Sequence, residues 1–148
     1  MTEKPASSES PVEILRLDNQ LCFALYGAAN RMTRLYRPIL DALGLTYPQY
    51  LAMLVLWERS PRTVGALGDA LDLDSSTLTP LLKRLEAGGL VERHRDPDDE
   101  RRVIVALTDK GQALREQAAS VPEKLFCALN MPMADLTTLR ERLKTVAR

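Results

Sequence analysis

Apolar residues recur every three or four positions through most of this chain, a spacing that an α-helix buries on one side. The longest such stripe runs from Leu17 to Leu43, and shorter ones follow it. Only two β-prone runs, Leu90–Arg95 and Val103–Leu107, break the helical period, and a charged loop joins them. The predicted fold is therefore mainly α with one small β-hairpin, an order that disfavours an alternating α/β enzyme fold.

Length and charge limit the class of protein further. The chain has 148 residues, one domain's worth, and its 20 Lys and Arg balance 20 Asp and Glu, so any nucleic-acid site must be a local cluster. No apolar run approaches the roughly 20 residues of a membrane span, and the N-terminus lacks a signal-peptide core. We therefore expect a cytoplasmic protein with no membrane partner.

The chain is also poor in residues that carry catalysis or metals. Two cysteines, Cys22 and Cys127, are too few for a disulfide scaffold. A single histidine, His94, disfavours a Cys/His metal cluster and a histidine-based catalytic triad. We expect no cofactor, no metal and no enzymatic activity, and we assign His94 to a strand of the hairpin and Phe23, Met53 and Trp57 to the core.

Residues 63–87 have the dimensions of a helix-turn-helix, with Thr63 and Asp74 or Ser75 as the predicted N-caps. Leucines form the inner face of the second helix. Its outer face carries small hydroxyls and cations, which suit phosphate oxygens and base edges in a major groove. The alternative is an ordinary solvated face. The candidate DNA-contacting residues here are Ser75, Ser76, Thr77, Thr79, Pro80, Lys83 and Arg84.

The hairpin carries a second cluster of cations, Arg93, Arg95, Arg101 and Arg102. An arginine at a loop tip enters a minor groove readily, because the potential is most negative there. The carboxylates of Glu92, Asp96, Asp98, Asp99 and Glu100 almost cancel these cations, which favours the alternative of a solvated acidic and basic turn. Both observations fit if Asp99 holds Arg101 by an ion pair and so fixes its direction. We add Arg93, Arg95, Asp99 and Arg101 to the candidate DNA contacts.

The segments DSSTLTPLLKRLEAGGLVER and RDPDDERRVIVALTDKG resemble the winged helix-turn-helix of MarR-type transcription regulators. LDNQLCFALYGAANRMTRLYRPILDALGLTYPQYLAMLVLWE resembles the organic hydroperoxide-sensing OhrR branch, and the likeness covers about residues 16–148. We expect a tail at 1–16 and one domain at 17–148. In this domain 17–45 and 108–148 are the dimerisation helices, and 46–107 is the DNA-binding part.

The resemblance also implies roles for cysteines and tyrosines. It makes Cys22 the peroxide sensor, with Tyr36 and Tyr47 as its hydrogen-bond donors and Tyr26 nearby, and it makes Cys127 the resolving cysteine of a two-cysteine type. Tyr36 follows Cys22 by 14 residues, about 21 Å along one helix, so a tyrosine that meets the thiol belongs to a second chain. The peroxide pocket and the dimer interface would then coincide.

The implied function is a homodimeric repressor on a pseudo-palindromic operator, released when Cys22 is oxidised by an organic hydroperoxide and condenses with Cys127, which we assign to the partner subunit. Whether the disulfide crosses subunits stays open in the sequence. Three alternative functions also stay open: a MarR-type regulator of a small aromatic or carboxylate ligand with inert cysteines, a thiol peroxidase, and a purely structural helical dimer.

Overall fold

A computed structural model describes residues 10–147, which contain eight α-helices, a short 3-10 helix and one three-stranded sheet. The predicted class, mostly helical with a small β part, is confirmed. The chain divides into two compact units between Arg34 and Leu35. The elements are α1 (Pro11–Ile14), the 3-10 helix (Leu17–Asn19), α2 (Leu21–Asp41), α3 (Tyr47–Glu58), β1 (Arg62–Thr63), α4 (Val64–Leu71), α5 (Ser75–Ala87), β2 (Val91–Arg95), β3 (Val103–Leu107), α6 (Asp109–Ala118), α7 (Val121–Leu129) and α8 (Met133–Val146).

Residues 10–34 form the smaller unit. Ser10 caps α1, and the side-chain amides of Asn19 and Gln20 donate to backbone carbonyls of Glu13, Ile14 and Arg16 at the C-terminal end of α1. The predicted long helix therefore begins at Leu21 rather than Leu17. Residues 1–9 of the predicted tail lie outside the described residues, and α1 lies within the rest of it.

No side chain of residues 10–34 is buried within the chain, so this unit has no core of its own. The assignment of Phe23 to a core is accordingly wrong, since 45% of its surface is exposed. Trp57 and Met53 do lie in the core of the larger unit, as predicted. That core is built mainly from α3, α4, α5 and the sheet.

Local sequence signals fix where the helices of the larger unit begin. Thr46 and Gln49 form a reciprocal capping box at α3, and the hydroxyl of Thr63 accepts from a backbone N–H at the start of α4. Asp74 and Thr108 do the same for α5 and α6. The sequence predicts a capping box at Thr46 and Gln49, N-caps at Thr63 and at Asp74 or Ser75, and a helix start at Thr108. These starts are confirmed, with Asp74 as the cap of α5, because each cap satisfies N–H groups that have no partner inside the helix.

The sheet is antiparallel with the strand order β1-β3-β2. Strands β2 and β3 form the predicted hairpin, in register from Val91 opposite Leu107 to Arg95 opposite Val103. The two-residue strand β1 pairs with Val105 and Ile104 of β3 and was not predicted. Two residues are too few to display an alternating pattern, which explains the omission.

The apolar period after Thr108 predicts one helix with a kink at Pro122, and the structure differs from this prediction. Helix α6 ends at Ala118, and α7 begins at Val121 with Pro122 in its first turn. Proline is well tolerated there, because the N–H that it lacks would have no helical partner. Among residues 10–147, no helix combines the length and apolarity that crossing a bilayer requires.

Candidate functional site

Helix α5 presents two distinct faces. Leu78, Leu81, Leu82 and Leu85 are at most 7% exposed and attach the helix to the core, as predicted. The opposite face is solvent-exposed except for the half-buried Thr79; it carries Ser75, Ser76, Thr77, Pro80, Lys83 and Arg84. This face offers hydroxyl groups and cations without bulky side chains, the composition that reads a major groove.

Asp74 orders the N-terminal end of that face. Its carboxylate accepts from the Ser76 hydroxyl at 2.7 Å and from the Thr77 backbone N–H at 2.9 Å. These hydrogen bonds, that of Ser76 first, hold the pKa of Asp74 below its usual value. The Ser76 hydroxyl proton is thus engaged by Asp74, and Ser76 itself is exposed.

The hairpin β2–β3 with its loop, residues 91–107, is called the wing below. Asp96 is 8% exposed; it accepts from the Asp98 backbone N–H at 2.9 Å and pairs with Arg102 at 3.1 Å. Asp99 accepts from both the backbone N–H and Nε of Arg101 at 3.1 Å, so the predicted ion pair is confirmed. The Arg101 hydrogen bonds hold the pKa of Asp99 low. The Arg101 side chain is 91% exposed and projects from an ordered turn.

Two other wing arginines have partners within the chain. The Arg95 guanidinium donates to the Glu100 carbonyl oxygen at 2.7 Å. Arg93 donates to Glu86 of α5, from Nε at 3.1 Å and from Nη2 at 2.8 Å, and this pairing lowers the pKa of Glu86. Sequence reasoning missed Glu86, because its partner lies across the turn that separates α5 from β2.

A groove of about 410 Å³ lies between α5 and the wing. Its walls combine threonine hydroxyls and guanidinium groups with a few apolar side chains. They comprise Thr63, Val64, Gly65, Thr79, Leu82, Arg93, Arg101, Arg102 and Val103. Helix face, groove and exposed Arg101 are thus adjacent in one unit of the chain.

Two of the three predicted pocket tyrosines pack together. The ring centroids of Tyr36 and Tyr47 are 4.7 Å apart, and the buried Tyr50 lies 5.9 Å from Tyr36. Burial, and then the neighbouring phenols, raise the pKa of Tyr36 to about 12, and burial also raises the pKa of Tyr47 and Tyr50. All three therefore stay protonated donors at neutral pH. Tyr26 is 67% exposed.

Tyr50 was missed by the sequence reasoning. The signal that could have found it is its spacing, since it follows Tyr47 by three residues and shares its helix face.

Both cysteines are free thiols and both are exposed. Cys22 is the second residue of α2, and Cys127 lies in α7. Within residues 10–147, no group of three or more His, Cys, Asp or Glu side chains is arranged to hold a metal ion.

Comparison with known proteins identifies relatives of this chain. The family model described as transcriptional regulator SarA/Rot matches residues 34–117, more than half of the chain. The organic hydroperoxide resistance transcriptional regulator of Bacillus subtilis is 45% identical over 93% of this chain and 94% of that protein.

Solved structures of AbfR from Staphylococcus epidermidis are also similar to this chain. Reduced AbfR bound to DNA is 40% identical, with a TM-score of 0.75 over 93% of this chain and 96% of that one. Disulfide-formed AbfR is 41% identical, with a TM-score of 0.65 over the same shares.

Proposed function

The chain belongs to the MarR/SarA-type winged-helix transcription regulators, and we propose that it is a homodimeric repressor whose DNA binding ends when an organic hydroperoxide oxidises Cys22. The observation that carries this proposal is that both of its cysteines are free and exposed. Support comes from the similarity to a regulator of organic hydroperoxide resistance, and from AbfR, solved both reduced on DNA and in a disulfide form.

The oxidation proceeds in two balanced steps. The Cys22 thiol loses its proton, and the thiolate attacks the hydroxyl oxygen of the hydroperoxide, so that the O–O bond breaks and sulfur becomes a sulfenic acid. The other oxygen leaves as the alkoxide and takes up the proton that the thiol released, giving the alcohol. The Cys127 thiol of the partner subunit then displaces water from that sulfur, and a disulfide forms. No further oxidant is required, because the hydroperoxide accepts both electrons.

Tyrosine hydroxyls assist the first step. Tyr36 and Tyr47 remain protonated at neutral pH, so they can donate hydrogen bonds to the thiolate or to the departing oxygen. Tyr36 follows Cys22 by 14 positions in α2, about 21 Å along a straight helix, so we assign Tyr36 and, with it, Tyr47 to the second subunit, and we propose Tyr26 as a further residue of this pocket.

DNA binding uses the exposed face of α5 in a major groove and Arg101 in the adjacent minor groove. Thr77, Lys83 and Arg84 supply phosphate and base contacts, and Asp99 fixes the direction of Arg101. In the dimer two copies of α5 lie about 34 to 36 Å apart, one turn of DNA. A disulfide needs Cα atoms within about 7 Å, so its formation moves the helices that carry the two cysteines. The two copies of α5 then no longer match the spacing of the DNA grooves.

The test is a gel shift on DNA from upstream of the protein's own gene, with and without cumene hydroperoxide, beside a non-reducing gel. We expect the wild type to lose DNA as a dimer-sized band forms, and a thiol reductant to reverse both. Cys22→Ser and Cys127→Ser should each keep DNA in the presence of the oxidant. Release of DNA from Cys22→Ser at the wild-type oxidant concentration would refute the proposal.

One observation favours a second candidate, a regulator of a small aromatic or carboxylate ligand. A cavity of about 260 Å³ opens between α3 and the α6–α7 region, lined by Tyr50, Leu54, Trp57, Glu58, Arg115, Ala118, Ala119 and Pro122. Largely apolar and aromatic walls with one arginine and one glutamate suit a small aromatic ligand better than a carboxylate. In that case both serine variants would respond to the inducer as the wild type does.

A further inference from the structure

The contact between Glu86 and Arg93 joins the last turn of α5 to the middle of β2. Both carboxylate oxygens of Glu86 are engaged, since Oε2 accepts from Nε and Nη2 of Arg93 and Oε1 accepts from the Arg93 backbone N–H at 3.2 Å. Three hydrogen bonds, two of them between charged groups, therefore connect the DNA-reading helix with the wing.

Arg93 and Arg101 both line the groove, but their side chains differ in exposure. The Arg101 side chain is 91% exposed, whereas that of Arg93 is 22% exposed. A phosphate contact needs a cation that is accessible to the DNA, and only the Arg101 side chain of these two is largely exposed. Arg93 instead lies against Glu86, in the wall of the groove between α5 and the wing.

We propose that Glu86 and Arg93 form a positioning pair that sets the wing relative to α5, so that helix and wing tip reach neighbouring grooves together. Arg93 then acts through Glu86 rather than as a direct contact to phosphate. This inference rests on the proposed DNA-binding function and reassigns one of the candidate contacts within it.

The direction in which Glu86→Gln changes the DNA affinity distinguishes a positioning role from a simple effect of net charge. Glu86 is an anion beside a DNA-binding surface, so removing its charge should strengthen binding if only the net charge mattered. If Glu86 positions the wing, Glu86→Gln weakens operator binding instead, by about tenfold for the loss of charge-assisted hydrogen bonds.

Arg93→Lys independently distinguishes a positioning role of Arg93 from a direct contact with phosphate. Lysine keeps the positive charge that a phosphate needs but lacks the planar fork that holds Glu86 in two bonds. A positioning role therefore predicts a loss of about tenfold for Arg93→Lys as well. A direct phosphate contact predicts almost none.

The experiment measures the dissociation constant on a duplex from upstream of the protein's own gene at several salt concentrations, with the thermal unfolding midpoint of each variant. The variants are Glu86→Gln, Arg93→Lys, Arg93→Gln and the charge-exchanged Glu86→Arg with Arg93→Glu. Glu92→Gln is the matched control, because Glu92 is exposed beside Arg93 and takes part in no ion pair among residues 10–147.

We expect the single variants at 86 and 93 to bind more weakly with an unchanged salt dependence, the exchanged pair to regain most of the affinity, and Glu92→Gln to lose none. Tighter binding by Glu86→Gln, or wild-type binding by Arg93→Lys with a salt slope about one lower in Arg93→Gln, would overturn the inference.

Folding and function are separated within the same data. If the exchanged pair does not fold, the nearly isosteric Glu86→Gln and the charge-conserving Arg93→Lys decide the matter alone. Absence of binding by the wild type would refute the proposed function and this inference together. Intact binding by the wild type, together with tighter binding by Glu86→Gln or with unchanged binding by Arg93→Lys, would refute only the inference.

Discussion

Tyr36 packs against two other phenols, so its ionisation would place a charge among half-buried rings. Folding accordingly favours its neutral form and raises its pKa from 10 to about 12. The stabilising contribution is fully present below pH 10 and is lost as the pH rises through about 12. Alkaline conditions should therefore weaken this part of the larger unit.

Tyr36→Phe tests that expectation. The variant should lose less stability than the wild type between neutral pH and pH 12, because it has no hydroxyl to ionise at this position. The measurement is the urea unfolding midpoint as a function of pH. Tyr26→Phe is the control, since Tyr26 is 67% exposed, and it should follow the wild type. Parallel curves for Tyr36→Phe and the wild type would contradict the prediction.

At this scale the sequence predicts what is decided within a few residues. Helix caps such as Thr46 and Asp74 could be identified because each bonds to an N–H three positions away. The Asp99 and Arg101 pair, two residues apart, was equally accessible. Glu86 was not, because its partner depends on how the chain turns after α5.

The order of the wing loop depends on the side chain of Asp96. Asp96 is almost buried, accepts from the Asp98 backbone N–H and pairs with Arg102. Arg101 owes its position to the same turn, since the Arg102 N–H bonds to the Asp99 carbonyl and the Asp96 N–H to the Arg102 carbonyl. Without the Asp96 carboxylate, the N–H of Asp98 and the guanidinium of Arg102 would lose an acceptor.

We therefore expect Asp96→Ala to lower the free energy of unfolding by about 2 kcal/mol and to weaken DNA binding as the wing loses its order. Urea unfolding and gel shift measure the two effects. Glu100→Ala is the matched control, because the structure uses only the backbone carbonyl of that residue, and it should stay within about 0.5 kcal/mol of the wild type. Equal effects of the two substitutions would contradict the prediction.

Element boundaries were less predictable than element types. Periodicity distinguished the helices from the hairpin, but β1 has only two residues and owes its existence to pairing with β3. Pro122 was predicted to kink one helix, whereas it begins α7. Both cases depend on tertiary surroundings that a window of sequence does not contain.

At the scale of the whole molecule, helix α8 exposes a row of apolar side chains. Leu139 is 46%, Leu143 is 37% and Val146 is 65% exposed, and with Leu136 they recur at near-heptad spacing. Such a stripe is typical of a helix that packs against another chain. The dimer predicted from the sequence would cover it, and the single chain leaves it open to solvent.

Replacing both Leu139 and Leu143 by Asp should convert the proposed dimer to monomers, weakening association by about a thousandfold or more, since each leucine would bury apolar area in both subunits. Sedimentation velocity over a concentration series measures the change. Thr137→Asp adds a charge at an exposed α8 position off the stripe and should leave the dimer intact. A dimer that survives the double substitution would place the interface elsewhere.

The hydrogen bond from the Trp57 indole to the Gly111 carbonyl, 2.9 Å long, joins α3 to α6. Gly111 has no room for a side chain, because a Cβ would overlap the Leu90 carbonyl oxygen, so this junction is tightly fitted. Trp57 is also the chain's only tryptophan. Selectively excited emission therefore arises from this junction alone, and the protein contains a native optical reporter with which the proposed response to oxidant can be tested in real time without a dye.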